Sequence, residues 1–463
     1  MDTIVELVRF AKNTKYEDLP KEAVDAAKML LKDIIGVSVA GTGAEGVAQA
    51  RRLIDHWGGR EESTVLFFGE KLPVMHTAFL NSLLSHARDY DEYHPDAVVH
   101  TGISVIPTVL AVSEERGGIS GREAIRVIAV TADVLIRFGD AIKVPGSESG
   151  WIYSALLAGF GAALAASLLL GLSEEEIVHA LGIAYAQLGG NQQAARDTTL
   201  TKRMQPALSV KNGVFAAYMA REGISGARHL IDGNYNFFKL YLNDRCDRSK
   251  LTEGLGKKFR IGTLAFKPYP VCGQCMTPSG TTDYLMKTHD LQPEDVISAE
   301  VGTNRHGYRT CVEPKEVKYA PQKVVDGQFS IPYSVSTMIV KRHLHLSDLT
   351  EEGIRDKETL AFIDKVEAYV DEQVEAEFPR GVARAKVTLH TTKGDFTGSV
   401  YQKGHPSNPF TAEDMREKFL DAFSFGLKKP KEGAAEAVLA LIDTMETVSD
   451  VSQLITDVNR SFG

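Results

Sequence analysis

The sequence predicts a mainly α protein: a large all-helical domain, a smaller α+β unit, and terminal helices that return to the first domain. Three observations carry this reading. Apolar residues recur at helical spacing from the N-terminus to about residue 240. Period-2 runs appear after Phe259, and the helical pattern resumes at Thr411. With 463 residues, the chain exceeds the roughly 250–300 at which single cores stop growing, so two domains are expected.

In chain order, Val24, Ala27, Leu30, Leu31 and Ile34 mark the first strongly amphipathic helix. MHTAFLNSLLSHARDYDEY, REAIRVIAVTADVLIRFGDAI and SVKNGVFAAYMAREGI predict others, separated by breaks such as Gly117-Gly118 and Gly189-Gly190. The stretch from Ala155 to Leu172 is apolar and rich in Ala and Gly. It falls short of the about 20 residues a bilayer requires, and Ser173 with Glu174, Glu175 and Glu176 then opens another helix, so it reads as a buried central helix. After Phe266-Lys267-Pro268-Tyr269-Pro270 come strand-like segments, VISAEVGTNR and ARAKVTLHTTKGDFTGSVYQKG. The second carries a hairpin turn at Lys393-Gly394-Asp395. Helical patterns lie between them in SIPYSVSTMIVKRHL and TLAFIDKVEAYVDEQV. TAEDMREKFLDAF and EGAAEAVLALIDTMETV are the terminal helices, giving domains 1–265 and 266–403 and a returning segment 404–463.

Composition narrows the function. Lys and Arg number 52 against 61 Asp and Glu, a net charge of -9, so no general basic field exists to hold nucleic acid or an anionic membrane. Four Cys are too few for a disulfide framework, and MDTIVELVRFAK lacks the order of a secretory signal, so a cytoplasmic protein with reduced thiols is expected. No GxGxxG follows a strand, which leaves a Rossmann unit without support.

The densest polar constellation runs from His86 through Asp89, Tyr93 and Pro95 to His100. On a helix, His86, Asp89 and Tyr93 fall on one face. Pro95 would end that helix and leave His100 on a loop able to bend back. A solvated helix end is the competing reading. No ligand spacing such as HxxxH appears, so no metal is expected. Lys202 and Arg203 precede a predicted helix, where paired cations gain from an anionic ligand; solvated cations are the alternative. The Cys272–Cys275 CxxC has neither a thioredoxin-like context nor a second CxxC.

HARDYDEYHPDAVVHTGISVIPTVLA, TKRMQPALSVKNGVFAA, FKPYPVC, DGQFSIPYSVSTM and KGHPSNPFTAEDMREKF together resemble the MmgE/PrpD family, over about residues 20 to 425. That family includes 2-methylcitrate dehydratase, cis-aconitate decarboxylase and iminodisuccinate epimerase. The resemblance implies a helical domain completed by the C-terminal helices, an α+β lid, a homodimer, no cofactor and a small polycarboxylate substrate. Asp89 matches the Asp of the family's DFDD-like turn, Tyr93 stands where Thr is common, and His100 matches the following His. Lys202 matches the Lys of TKR, and Lys267 the Lys before YP. Cys272 falls where the decarboxylases place a His. Gly150-Trp151 is followed by Ile152-Tyr153 rather than His, and Gln205 replaces the His of TKRLH.

Removing a proton α to a carboxylate creates an enolate-like dianion that cations must stabilise while an acid and a base handle protons. The resemblance implies Lys202 with Lys267, Arg203 and Gln205 as substrate ligands or stabilisers, and His100, Asp89, Tyr93, Tyr153 and Cys272 as candidate proton carriers. Asp89 and His100 are the expected acid/base pair. The leading expectation is a dehydratase-like lyase acting on a hydroxylated di- or tricarboxylate. The alternatives are a two-base epimerase and a catalytically silent small-acid binder.

Overall fold

The computed structural model describes residues 2–462. Its helical body is built around Tyr153–Leu169, every residue of which is buried. Small side chains let the neighbouring helix Thr201–Arg221 approach closely: a Cβ added to Gly213 would lie 2.3 Å from the Gly159 carbonyl oxygen and 2.8 Å from the Ala162 Cβ. Ser173 opens the next helix, Glu174–Tyr185, with a capping box; its Oγ accepts from the Glu176 N–H at 3.2 Å and the Glu176 carboxylate accepts from the Ser173 N–H at 2.7 Å. Around these pack Lys21–Gly41, Val74–His86, Gly102–Glu115 and Gly121–Ala141. No helix among the described residues is long and apolar enough to cross a membrane.

The terminal helices Ala412–Ser424, Ala434–Asp443 and Ser452–Arg460 join this body, with Phe419, Phe423, Val438 and Leu454 in its core. A second apolar core, with Met276, Val301, Ile339 and Leu389 among its members, belongs to the α+β unit. Its four-stranded sheet has the order Val366–Val370, Val296–Thr303, Lys386–Thr391, Gly394–Gly398. The first pair is parallel (Ala299 opposite Val366) and the others antiparallel, Val301 opposite Val387 and Val387 opposite Gly398. Helices Gly273–Thr288 and Ile331–Lys341 cover it. These two cores underlie the division at 265/266 and 403/404, which we propose as the domain limits.

Three elements differ from the sequence reading. The helix expected through Asp89 to Tyr93 stops at His86. TLAFIDKVEAYVDEQV holds a strand, Val366–Val370, between the short helices Lys357–Ile363 and Glu372–Glu377. There Val366 and Ala368 are buried and Glu367 is exposed, a five-residue alternation hidden within a helix-compatible apolar count. The helical body also carries a two-stranded pair, Ser63–Thr64 with Lys71–Leu72, so it is not all-helical.

The contact at Gly213 predicts that Gly213→Ala destabilises the protein by at least about 1–3 kcal/mol through overpacking. Gly189→Ala, where a Cβ meets nothing within 4 Å, serves as control. Thermal melting should separate the two variants, and equal melting temperatures would contradict the packing argument.

Candidate active site

The site begins where the Val74–His86 helix ends. Asp89 has φ +52°, a left-handed conformation that Asp tolerates better than most residues. The turn removes Asp89 and Tyr93 from any helix face shared with His86. Beyond it the Tyr93 N–H donates to the Ala265 carbonyl at 2.9 Å, and the reverse bond is 2.8 Å. The His94 N–H then donates to the Val99 carbonyl at 2.8 Å, which brings His100 back beside the helix end. Val98, a β-branched residue with φ +55°, sits in this return. Glu92 fastens it: one carboxylate oxygen accepts from the Thr101 N–H at 2.5 Å, the Thr101 hydroxyl at 3.0 Å and the Gly102 N–H at 2.7 Å, capping Gly102–Glu115. From beneath, Asp33 accepts the Glu92 N–H at 2.8 Å and pairs with Lys418 at 2.5 Å, while Lys418 also donates to the Tyr90 carbonyl at 2.8 Å.

Asp89 and Asp91 have different partners. Asp89 lies between two ammonium groups, Lys202 at 2.9 Å and Lys267 at 2.6 Å; Lys267 also donates to the Asp89 carbonyl at 2.8 Å. Burial would raise the Asp89 carboxyl, but the two lysines overcome it and hold the group far below the usual carboxylate range. Asp91 instead receives two imidazoles: His86 Nδ1 at 3.0 Å and His100 Nδ1 at 2.6 Å, the latter out of line for a straight hydrogen bond. Burial again opposes ionisation, and the imidazoles hold Asp91 well below its ordinary value. Burial also lowers His86 despite Asp91, leaving it neutral. Its Nε2 faces the Lys202 ammonium at 3.4 Å, which assigns the proton to Nδ1, the nitrogen donating to Asp91. The expected Asp89–His100 pair is therefore corrected: the carboxylate on His100 is Asp91.

His86, Asp89, His100 and Lys202 open onto one cavity of about 110 Å³ lined by both domains. That is well below the about 300–1,000 Å³ typical of drug-sized ligands, and it suits a small molecule. His86, Asp89, His100 and Lys202 face it from the body, and Cys272, Gln274, His306 and Phe329 from the α+β unit. Lys202 Nζ stands 4.2 Å from the Phe329 ring centroid. Several expected proton carriers are already committed. The Tyr153 hydroxyl donates to the Val144 carbonyl at 2.5 Å and contacts Ser149 Oγ at 2.9 Å, and burial pushes it up to about 12. The Tyr93 hydroxyl accepts from Gln402 at 2.8 Å, and burial raises it too. The Cys272 thiol is raised by its hydrogen bond with Cys311 and by burial, so it stays neutral.

Three expected ligands do not line the cavity. Lys267 is fully buried behind Asp89 and serves that carboxylate. Arg203, one residue from Lys202, is turned about a quarter of the helix away and buried, with Glu45 the leading acidic influence on it. The Gln205 amide brackets the Asn191 backbone, its oxygen accepting from the N–H and its nitrogen donating to the carbonyl at 3.1 Å.

His306 is a cavity residue that the sequence did not reveal. It follows the strand Val296–Thr303, its Nδ1 lies 2.9 Å from Ser147 Oγ across the domain boundary, and burial lowers it to about 4. Its Nε2 and that of His100 have no hydrogen-bond partner among the described residues. His86, Asp91 and His100 present donor atoms within 4.8 Å of one another, a grouping a metal ion would find familiar. As they stand, both Asp91 oxygens are taken up by imidazole nitrogens at hydrogen-bond lengths.

Two family models cover most of the chain: the MmgE/PrpD N-terminal domain over residues 5–248 and the MmgE/PrpD C-terminal domain over 269–444. The chain belongs to the MmgE/PrpD family. Among its relatives, a cis-aconitate decarboxylase-like protein, oryM, of Aspergillus oryzae is 26% identical over 97% of this chain and 96% of its own. A cis-aconitate decarboxylase of Aspergillus terreus is 28% identical, covering 75% of this chain and 73% of its own. The Homo sapiens cis-aconitate decarboxylase is 24% identical over 96% and 91%. As an MmgE/PrpD protein, the chain draws its cavity from both family domains: His86 to Lys202 from the first, Cys272 to Phe329 from the second.

Glu92 supplies a pH test. Burial, reinforced by Asp91, raises its carboxyl to about 7. An acid raised on folding binds more protons folded than unfolded between its unfolded value, about 4.3, and about 7. Its contribution is therefore fully present at low pH and lost as pH rises through that window. Glu92→Gln should gain stability relative to the unmodified protein between about pH 5 and pH 7, read from urea midpoints. A pH-independent difference would show that Glu92 does not titrate there.

Proposed function

We propose that this MmgE/PrpD enzyme is a lyase acting on a small polycarboxylate by proton transfer at the carbon α to a carboxylate. The observation that carries the reading is the Asp91–His100 contact at 2.6 Å beside a cavity that His100 and Lys202 both line. Asp91 is kept ionised, so it orients His100 while Nε2 is left to the substrate. Lys202 is placed to meet a substrate carboxylate and the charge that develops on it in the transition state. Asp89 and Lys267 position Lys202. The fungal and human relatives make cis-aconitate the first substrate to test.

One observation favours a second reading. His306 brings an imidazole to the same cavity from the other domain, and burial keeps it neutral and able to accept a proton. An epimerase needs a group on each face of the carbon, and His100 with His306 would supply them. Incubation of candidate acids in deuterium oxide discriminates: net product with CO2 or water released supports the lyase, and exchange with inversion alone supports the epimerase.

The protein is further proposed to be a cytoplasmic homodimer that needs no cofactor. Leu208 and Phe215, 44% and 47% exposed, lie seven residues apart on one face of the Thr201–Arg221 helix that carries Lys202. Light scattering should give a dimer, and Phe215→Glu a monomer; a monomeric unmodified protein would refute the assignment.

His100→Asn and Asp91→Asn should fold normally and each lose about 100-fold or more in turnover, the scale of general acid/base catalysis. Their combined loss should be less than additive, because the pair acts as a unit. Near-normal turnover in either variant would remove that residue from the mechanism.

A further inference from the structure

We propose that the active-site cavity continues into a second anion subsite built on Lys318, and that this subsite holds the third carboxylate of a tricarboxylate. The inference rests on the polycarboxylate reading above and narrows it. Four lysines are buried among the described residues: Lys202, Lys267, Lys318 and Lys418. Three of them pair with a carboxylate, Lys202 and Lys267 with Asp89 and Lys418 with Asp33. Lys318 does not. It is 4% exposed, its backbone carbonyl accepts from Ser330 Oγ at 2.6 Å, and its ammonium has neither an ion pair nor a hydrogen bond among the described residues. Its Nζ lies 5.9 Å from the centroid of the Phe329 ring. A buried ammonium without a counter-charge is costly, and a bound anion removes the cost.

The surroundings fit such an anion. Lys318 lines a recess of about 30 Å³ with Arg196, Arg309 and Glu313. The two guanidinium groups are exposed at its rim without ion pairs, so the lining carries three cations against one carboxylate. About 10–15 Å³ of such space holds a water, so the recess takes a carboxylate group. Gln192, Ala195, Thr310 and Phe329 line both this recess and the main cavity, so the two adjoin along those four residues. The Phe329 ring measures the span: Lys202 Nζ is 4.2 Å and Lys318 Nζ 5.9 Å from its centroid, limiting their separation to the sum, about 10 Å. With charge-assisted contacts of about 2.8 Å at each end, at most roughly 4–5 Å remains between the two carboxylate oxygens, a distance one branched six-carbon acid bridges.

The test compares tricarballylate with succinate, which is the same molecule with one of its two carboxymethyl arms replaced by hydrogen. Calorimetric titration of the full-length protein should show tricarballylate binding tighter than succinate. Lys318→Met should weaken tricarballylate by about 10- to 100-fold, the scale of a lost charge-assisted bond, and leave succinate within about twofold. Lys318→Arg should keep the preference, and Lys318→Gln provides the same neutralisation if the Met variant loses its cooperative melt. If the neutral variants bind both acids as the unmodified protein does, or lose both in parallel, the subsite is refuted while the polycarboxylate reading stands. If the unmodified protein binds neither acid, that reading falls and the subsite falls with it.

Discussion

The Asp89 carboxylate, held between Lys202 and Lys267, is the interaction on which the rest of the site depends. It joins three segments distant in sequence: the turn after Val74–His86, the first turn of Thr201–Arg221, and the entry to the α+β unit. Each of these charges is buried, and a buried charge is tolerable only when paired, so removing one member strands the others. The same ion triad therefore sets the position of the cavity floor and of the second domain. Both Lys267 hydrogen bonds go to Asp89, to its carboxylate and its carbonyl, and hold the ammonium behind the cavity.

A second layer follows from the first. Once the turn at Asp89 has taken the chain out of the helix, Asp91 and Glu92 face different environments. Asp91 meets two imidazoles, and Glu92 meets the N-terminal donors of the next helix. One residue of offset gives one carboxylate two imidazole partners beside the cavity and makes the other a helix cap. Asp33 and Lys418 support this layer from the body and the returning terminal helix, so the C-terminal segment is part of the site's foundation although it does not line the cavity.

The helical body and the change of character near Phe259 were legible because apolar periodicity is a local signal that burial amplifies. The motif around His86 to His100 was legible as chemistry but not as geometry. Its spacing fits a helix face, and nothing local announces that Asp89 takes positive φ and that the chain then pairs with Ala265. The TKRMQ resemblance makes Arg203 and Gln205 expected ligands along with Lys202. The helix turns the first aside, and the Asn191 backbone captures the second. The strand Val366–Val370 is too short to outweigh the helical pattern flanking it. His306 and Lys318 have no sequence signature, since their roles arise only when the α+β unit meets the body.

The distribution of satisfied and unsatisfied groups then constrains the chemistry. Tyr93, Tyr153 and Cys272 are committed to Gln402, Val144 and Cys311, so they shape the cavity with fixed dipoles that need no reorganisation during reaction. His100 Nε2, His306 Nε2 and the Lys318 ammonium are left without protein partners among the described residues. Charge adds a further step. Asp89 and Asp91 balance Lys202 and Lys267, with His86 neutral, so the inner site is close to neutral before a ligand enters. A polycarboxylate brings several negative charges into a space that water leaves on binding. Lys318, Arg196 and Arg309 outnumber Glu313 in the neighbouring recess, so in the proposed reading the acid would lie with its reacting carbon toward His100 and its remote carboxylate toward that recess.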